Sequence, residues 1–161
     1  MSVSSPKRHS ARTSSAGILA YRRVSQSLEV LLVHPGGPYW RNKDDGVWSI
    51  PKGEIGTSED PEQTARREFT EELGPAASIG HLQALGEIRQ RGGKPVIAFC
   101  GETDFDTSSL SSSTFEIEWP PKSGRLQPFL EIDRAEWFDL EAYRTKILSD
   151  RSSSSIDLKR K

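Results

Sequence analysis

The chain has 161 residues, a net charge of −1 and a single cysteine, with 34% hydrophobic residues. This length suits one domain with one core, and the near-neutral balance excludes a global attraction to nucleic acid or anionic membranes, so any polyphosphate contact must come from local groups or metal. Cys100 alone excludes an internal disulfide or a cysteine-based metal cage.

The first fifteen residues are rich in serine and basic residues with little to bury, so 1–15 is expected to be disordered. No signal-peptide core follows Lys7, Arg8 and Arg12, and no run of 18 apolar residues occurs. A cytoplasmic protein with no membrane partner is the expectation. Ala16 to Arg23 and Leu28 to His34 read as a hairpin around a short polar turn. Pro35 to Gly46 (PGGPYWRNKDDG) carries loop chemistry, and Val47 to Ile50 runs extended into Pro51. Gly53 to Ser58 is a turn-rich lead-in. Ser58 or Asp60 then caps a helix with Pro61 near its first turn, ending at Leu73 before Gly74.

Leu82 to Arg89 and Pro95 to Thr103 flank a Gly92-Gly93 pair, a second hairpin. Its VIAFC run places Cys100 in a buried strand in a reducing compartment. Arg89, Arg91 and Lys94 beside that turn read as a solubilising patch. Thr114 to Trp119 alternates apolar and acidic residues as a half-buried strand does. Glu136 to Leu140 is a short strand before an amphipathic helix with Leu140, Tyr143, Ile147 and Leu148 on its apolar side. A serine run closing on Lys159, Arg160 and Lys161 makes 151–161 a solvated tail, leaving 16–150 as the domain. Strands around one helix, with a second helix at the end, suggest a mixed sheet covered by helices.

On the first helix, Ala65, Phe69 and Leu73 fall within about 80° of each other and form the buried stripe, and Glu68, Glu71 and Glu72 span about 100° beside it. Three carboxylates near one sheltered spot repel unless a cation or proton neutralises them. Magnesium suits such hard oxygen ligands, shared with substrate phosphate, and manganese is the alternative. The bland reading is a solvated acidic face with Arg67 and Glu71 paired at i,i+4.

Gly53, Glu59, Arg67, Glu68, Glu71, Glu72 and Gly74 stand at fixed intervals in GEIGTSEDPEQTARREFTEELG. With each fixed residue at ordinary abundance, chance would produce that match about once in 10^8 starts. The segment resembles the signature of the Nudix hydrolases, G-x5-E-x7-R-E-U-x-E-E-x-G-U with U apolar, except that Pro75 stands at the last position. The resemblance implies an α+β protein with the Nudix α/β/α sandwich and a mixed β-sheet. It also implies a pyrophosphohydrolase in which Gly53 lends a backbone carbonyl to the metal. Glu68, Glu71 and Glu72 would then be metal ligands or proton acceptors, with Glu59 and Arg67 fixing the helix and the loop before it. The general base comes from the Glu68 position or from outside the helix. Glu131, in FLEIDRAEWFDL, is the outside candidate by similarity to diadenosine-polyphosphate-hydrolysing members, with Glu116 and Glu118 as substitutes.

VWSIPKG resembles the W-x-x-P-K-G lead-in of the dinucleoside polyphosphate and diphosphoinositol branches, which would face Lys52 toward phosphate. Tyr39 and Trp40 near Arg41 and Lys43 suit stacking a base and meeting its phosphates, and equally suit pinning the loop. The expected substrate is a nucleoside diphosphate linked to another group, best a dinucleoside polyphosphate or a nucleoside triphosphate. Diphosphoinositols, oxidised nucleotides, an RNA 5′ pyrophosphate and non-catalytic nucleotide binding remain as alternatives. The absence of an extended basic stripe argues against a nucleic-acid partner, and all the helix glutamates are present, unlike in non-catalytic modules.

Overall fold

The computed structural model describes residues 14–89 and 94–147. The expected tail at 151–161, the turn at Gly92-Gly93, Arg91 and Leu148 lie outside the described residues, as does most of the expected leading segment. Ser15, assigned to that leading segment, instead opens the first strand.

Strands β1 (Ser15–Val24), β2 (Ser27–Pro35), β3 (Lys52–Glu54), β4 (Gln83–Arg89), β5 (Pro95–Glu102) and β8 (Ile132–Asp139) make one sheet in the order β4-β5-β1-β2-β8, with β3 pairing the start of β1. The sheet is mixed because β1 runs parallel to β5 and antiparallel to β2 and β3. Helix α1 (Pro61–Leu73) covers one face and α2 (Leu140–Lys146) belongs to the other. Alternation along β1 explains both cores. Ala16, Ile18 and Ala20 point to Ala65, Phe69 and Leu73 of α1, while Leu19 points to Trp48, Ile50 and Cys100 on the α2 side. The three-layer arrangement implied by the motif is therefore present.

α1 starts where its local chemistry demands. The Gln63 backbone amide donates to the Asp60 carboxylate at 2.9 Å, and the Asp60 amide donates back to the Gln63 side chain at 3.0 Å. Asp60, not Ser58, is the cap, and Pro61 follows it. At the other end Gly74 takes φ +103° and donates its amide to the Thr70 carbonyl at 2.7 Å.

Three expectations change. Gly53 belongs to strand β3, paired with Ala16, and not to a free turn. The last strand begins at Ile132, four residues early, because it pairs with β2 from Glu29 to Pro35. Beyond the sheet, Thr114 to Glu118 (β6) pairs with an unforeseen strand, Leu126–Leu130 (β7), in a separate two-stranded ribbon. Its inner rungs are Phe115 opposite Phe129 and Ile117 opposite Gln127.

Candidate active site

Sheet pairing delivers Lys52 and Gly53 to the open side of α1, where the helix presents its acids. The missing Cβ of Gly53 leaves the space the Glu68 carboxylate occupies, so a side chain there would push that carboxylate aside. Only 16% of the Glu68 side chain is exposed. Burial raises its pKa first and the Glu71 charge second, against Arg67, with Glu131 adding to the rise. Glu72 is pushed up to about 8, mainly by burial; the Lys52 ammonium and a hydrogen bond from the Lys52 backbone oppose this, and Glu68 and Glu131 add to it.

Arg67 organises the other side. Its Nε and Nη2 donate to the two oxygens of Glu59 at 2.7 and 2.9 Å, a two-pronged bond. Glu59 Oε1 also accepts from Thr64 Oγ1 at 2.7 Å and from the Gly56 amide at 3.1 Å. The Arg67 hydrogen bond is the largest reason its carboxyl falls to about 2. The same guanidinium reaches Glu68 at 3.0 Å and Glu71 at 3.1 Å through Nη1. The i,i+4 contact of the bland reading is thus real, but it is one prong of a larger network. Glu71 is the exposed member, at 54%.

Glu131 follows β7 directly and is coupled by charge to both Glu68 and Glu72. Its backbone is fixed from two sides, since its amide donates to the Ser113 carbonyl at 2.9 Å and its carbonyl accepts from the Gly36 amide at 2.8 Å. Glu118 stands apart at the ribbon tip, accepting from the Gly124 amide at 2.6 Å. Glu116 lies on the exposed ribbon face opposite Pro128.

Tyr39, Trp40, Arg41 and Lys43 lie on an exposed loop. Lys43 Nζ sits 5.8 Å from the Trp40 ring centroid. The loop is clamped by residues that sequence reasoning passed over. Buried His34 bonds the Lys43 carbonyl through Nε2 at 2.7 Å and Asp133 through Nδ1 at 2.8 Å. Asp44 accepts from Trp48 Nε1 and from Lys146 Nζ, both at 2.8 Å, tying the loop to α2. The available signal was a histidine closing an apolar strand just before PGG.

Among the described residues, no group of three or more His, Cys, Asp or Glu side chains closes into a ready-made metal cage. The donor chemistry nevertheless fits a hard divalent ion. Glu68 and Glu72 are sheltered, mutually repelling carboxyls beside a backbone held open at Gly53, and a cation relieves that repulsion as a proton does.

The NUDIX domain model matches residues 11–157. The chain belongs to the Nudix family. It is 32% identical over 117 residues to the oxidized purine nucleoside triphosphate hydrolase of Danio rerio, covering 70% of this chain and 64% of that protein, so it spans less than two thirds of that relative. Its fold is similar to the Nudix domain of Shewanella oneidensis NrtR complexed with ADP ribose, at TM-score 0.58 and 18% identity over 91% of this chain and 86% of the other. A C. elegans Ap4A hydrolase in a binary complex is similar at TM-score 0.52 and 22% identity, over 81% of this chain and 84% of the other. At these identities both structures speak for the Nudix fold alone. No helix among the described residues is long and apolar enough to cross a membrane.

Proposed function

We propose that the chain is a divalent-metal-dependent Nudix pyrophosphohydrolase that splits a phosphoanhydride in a nucleoside diphosphate-linked substrate. Nucleoside triphosphates come first, dinucleoside polyphosphates second. The observation that carries the reading is the pair Glu68 and Glu72, sheltered against Gly53 and Lys52 and coupled to Glu131. The likeness to a triphosphate hydrolase over 70% of this chain favours triphosphates.

In this reading Glu68, Glu71 and Glu72, with the Gly53 carbonyl, hold magnesium or manganese, which when bound neutralises pyrophosphate charge and acidifies water. Arg67, locked to Glu59, keeps Glu68 and Glu71 in place while the site is empty of charge partners. Lys52, beside Glu72, is placed to meet substrate phosphate once that carboxylate is neutralised otherwise. Glu131 is exposed and held by its backbone, with Ser113 Oγ 3.4 Å from its Oε1, and would accept a proton from water. Tyr39, Trp40, Arg41 and Lys43 serve the nucleoside end.

Purified protein with magnesium, incubated with nucleoside triphosphates, diadenosine polyphosphates, nucleotide sugars and diphosphoinositols, tests this through product masses. Nucleoside monophosphate plus pyrophosphate from a triphosphate is expected. No cleavage of any of these, or cleavage that persists in chelator, would refute it.

A further inference from the structure

We propose that the β6–β7 ribbon and the loop Gly36 to Trp40 form one binding arm, whose outer pair, Tyr39 and Trp119, stacks a purine base of the phosphoanhydride substrate. The proposal rests on the hydrolase reading above for what the acids hold, and adds the base end of the ligand.

The arm is defined rung by rung. At its root, the Gly36 amide donates to the Glu131 carbonyl and the Glu131 amide to the Ser113 carbonyl, so loop and ribbon both start beside the acids. One rung out, Gly37 at φ +99° lays the loop against Phe115; a Cβ on it would stand 3.0 Å from the Phe115 ring. Phe115 in turn faces Phe129 across the ribbon, with ring centroids 6.3 Å apart. At the outer end Tyr39 meets Trp119 edge to face, 5.2 Å between centroids. From the Ser113–Glu131 rung to the Trp119–Arg125 rung the ribbon extends about 20 Å at the normal strand rise. The loop therefore follows the ribbon outward from the acids.

The outer end has the chemistry an aromatic base needs. Tyr39 is 54% and Trp40 41% exposed, whereas Trp48 is buried in the core. Trp48 donates its indole N–H to Asp44, and Trp137 donates its own to the Phe105 carbonyl. The indole N–H groups of Trp40 and Trp119 have no partner among the described residues and remain available to a ligand. Trp119 is half-buried against exposed Tyr39, and this edge-to-face pair on a backbone pinned at its root can stack a flat base with little ordering cost.

Isothermal titration of the full chain with magnesium, using the α,β-methylene analogue of ATP and a methylene-bridged diadenosine tetraphosphate, decides the matter. Trp119→Ala should weaken binding about 10- to 100-fold, and Trp119→Phe should restore it to within about threefold. The loss is expected with the two-base probe, whose far base can reach a pair about 20 Å along the ribbon from the acids; the ATP analogue, whose single base stays close to its phosphates, should bind the variant and the wild type alike, and an equal loss with it overturns the arm. Unchanged affinity of Trp119→Ala for the two-base probe, or a loss that phenylalanine does not restore, overturns it too. Because binding is read without turnover, a wild type that binds but cleaves nothing sinks the hydrolase reading alone. A wild type that binds neither probe sinks both.

Discussion

His34 Nδ1 lies 2.8 Å from Asp133 Oδ1 while His34 Nε2 donates to the Lys43 carbonyl, so a proton must be shared between the imidazole and the carboxyl. The carbonyl can only accept, which places a hydrogen on Nε2, and an ionised Asp133 can only accept as well. These two hydrogen bonds tie β2, β8 and the Tyr39 loop together. Asp133→Asn offers an N–H to Nδ1 and preserves both bonds, so its stability should stay within about 1 kcal/mol of wild type. Asp133→Leu leaves a buried ring nitrogen unpaired and should cost about 1–3 kcal/mol. Urea unfolding of the two variants separates these outcomes, and equal losses would show the shared proton to be irrelevant.

The raised carboxyl of Glu72 predicts how pH acts on the metal-free protein. Its folded value is about 8 against 4.5 for the free side chain, so folding favours the neutral acid. Its contribution is full below about 4.5 and is lost as pH rises through about 8. In chelator, Tm should fall between about pH 5 and pH 8.5, and Glu72→Gln should flatten that limb. Magnesium should reverse the fall, because binding needs the charged carboxylate. A Tm that climbs over this window in chelator would contradict the burial of Glu72.

Glu59 titrates the opposite way. Arg67, then Thr64, hold its carboxyl at about 2, so the stability it contributes is present above about 4.5 and is lost as pH falls through about 2. Arg67→Lys removes the two-pronged bond. It should raise the magnesium needed for half-maximal turnover about 10- to 100-fold, seen in a metal titration of activity. The same variant should weaken the acid limb of a pH-melting series.

Glu71→Gln and Glu72→Gln should each lower turnover about a hundredfold or more while leaving the circular dichroism spectrum unchanged, since they delete charge and not core contacts. Turnover within a few-fold of wild type in both would refute the assignment. Gly53→Ala should be nearly as severe, because the added methyl enters the space of the Glu68 carboxylate. A fully active Gly53→Ala enzyme would mean that Glu68 moves away from Gly53 during the reaction.

What could be read from the residues was what is local. Asp60, Pro61 and Gly74 specify α1 within a single turn of their own positions, and the i+3 and i+4 spacing of Glu68, Glu71 and Glu72 places them on one side of it. The hairpin of β1 and β2 was legible for the same reason. What escaped depends on pairing between distant segments. β7 (Leu126–Leu130) carries Pro128 and forms all the same, because β6 is its only neighbour among the described residues and Pro128 is spared the donor duty of a central strand. Tyr39 and Trp119 meet across 80 positions, and His34 meets Asp133 across 99, with no periodicity to announce either. Glu131 was named from a resemblance, and its coupling to Glu68 and Glu72 comes from the fold.

The pairing of Ala16 with Gly53 has a practical edge. The Ile55 amide also donates to the Ser14 carbonyl, so the segment Ser14 to Gly17 acts as a splint beneath Lys52 to Ile55. A truncation that reached Ser14 to Gly17 would therefore free the strand that carries Lys52 and Gly53. A shortened version with normal thermal behaviour is no proof of an intact catalytic centre.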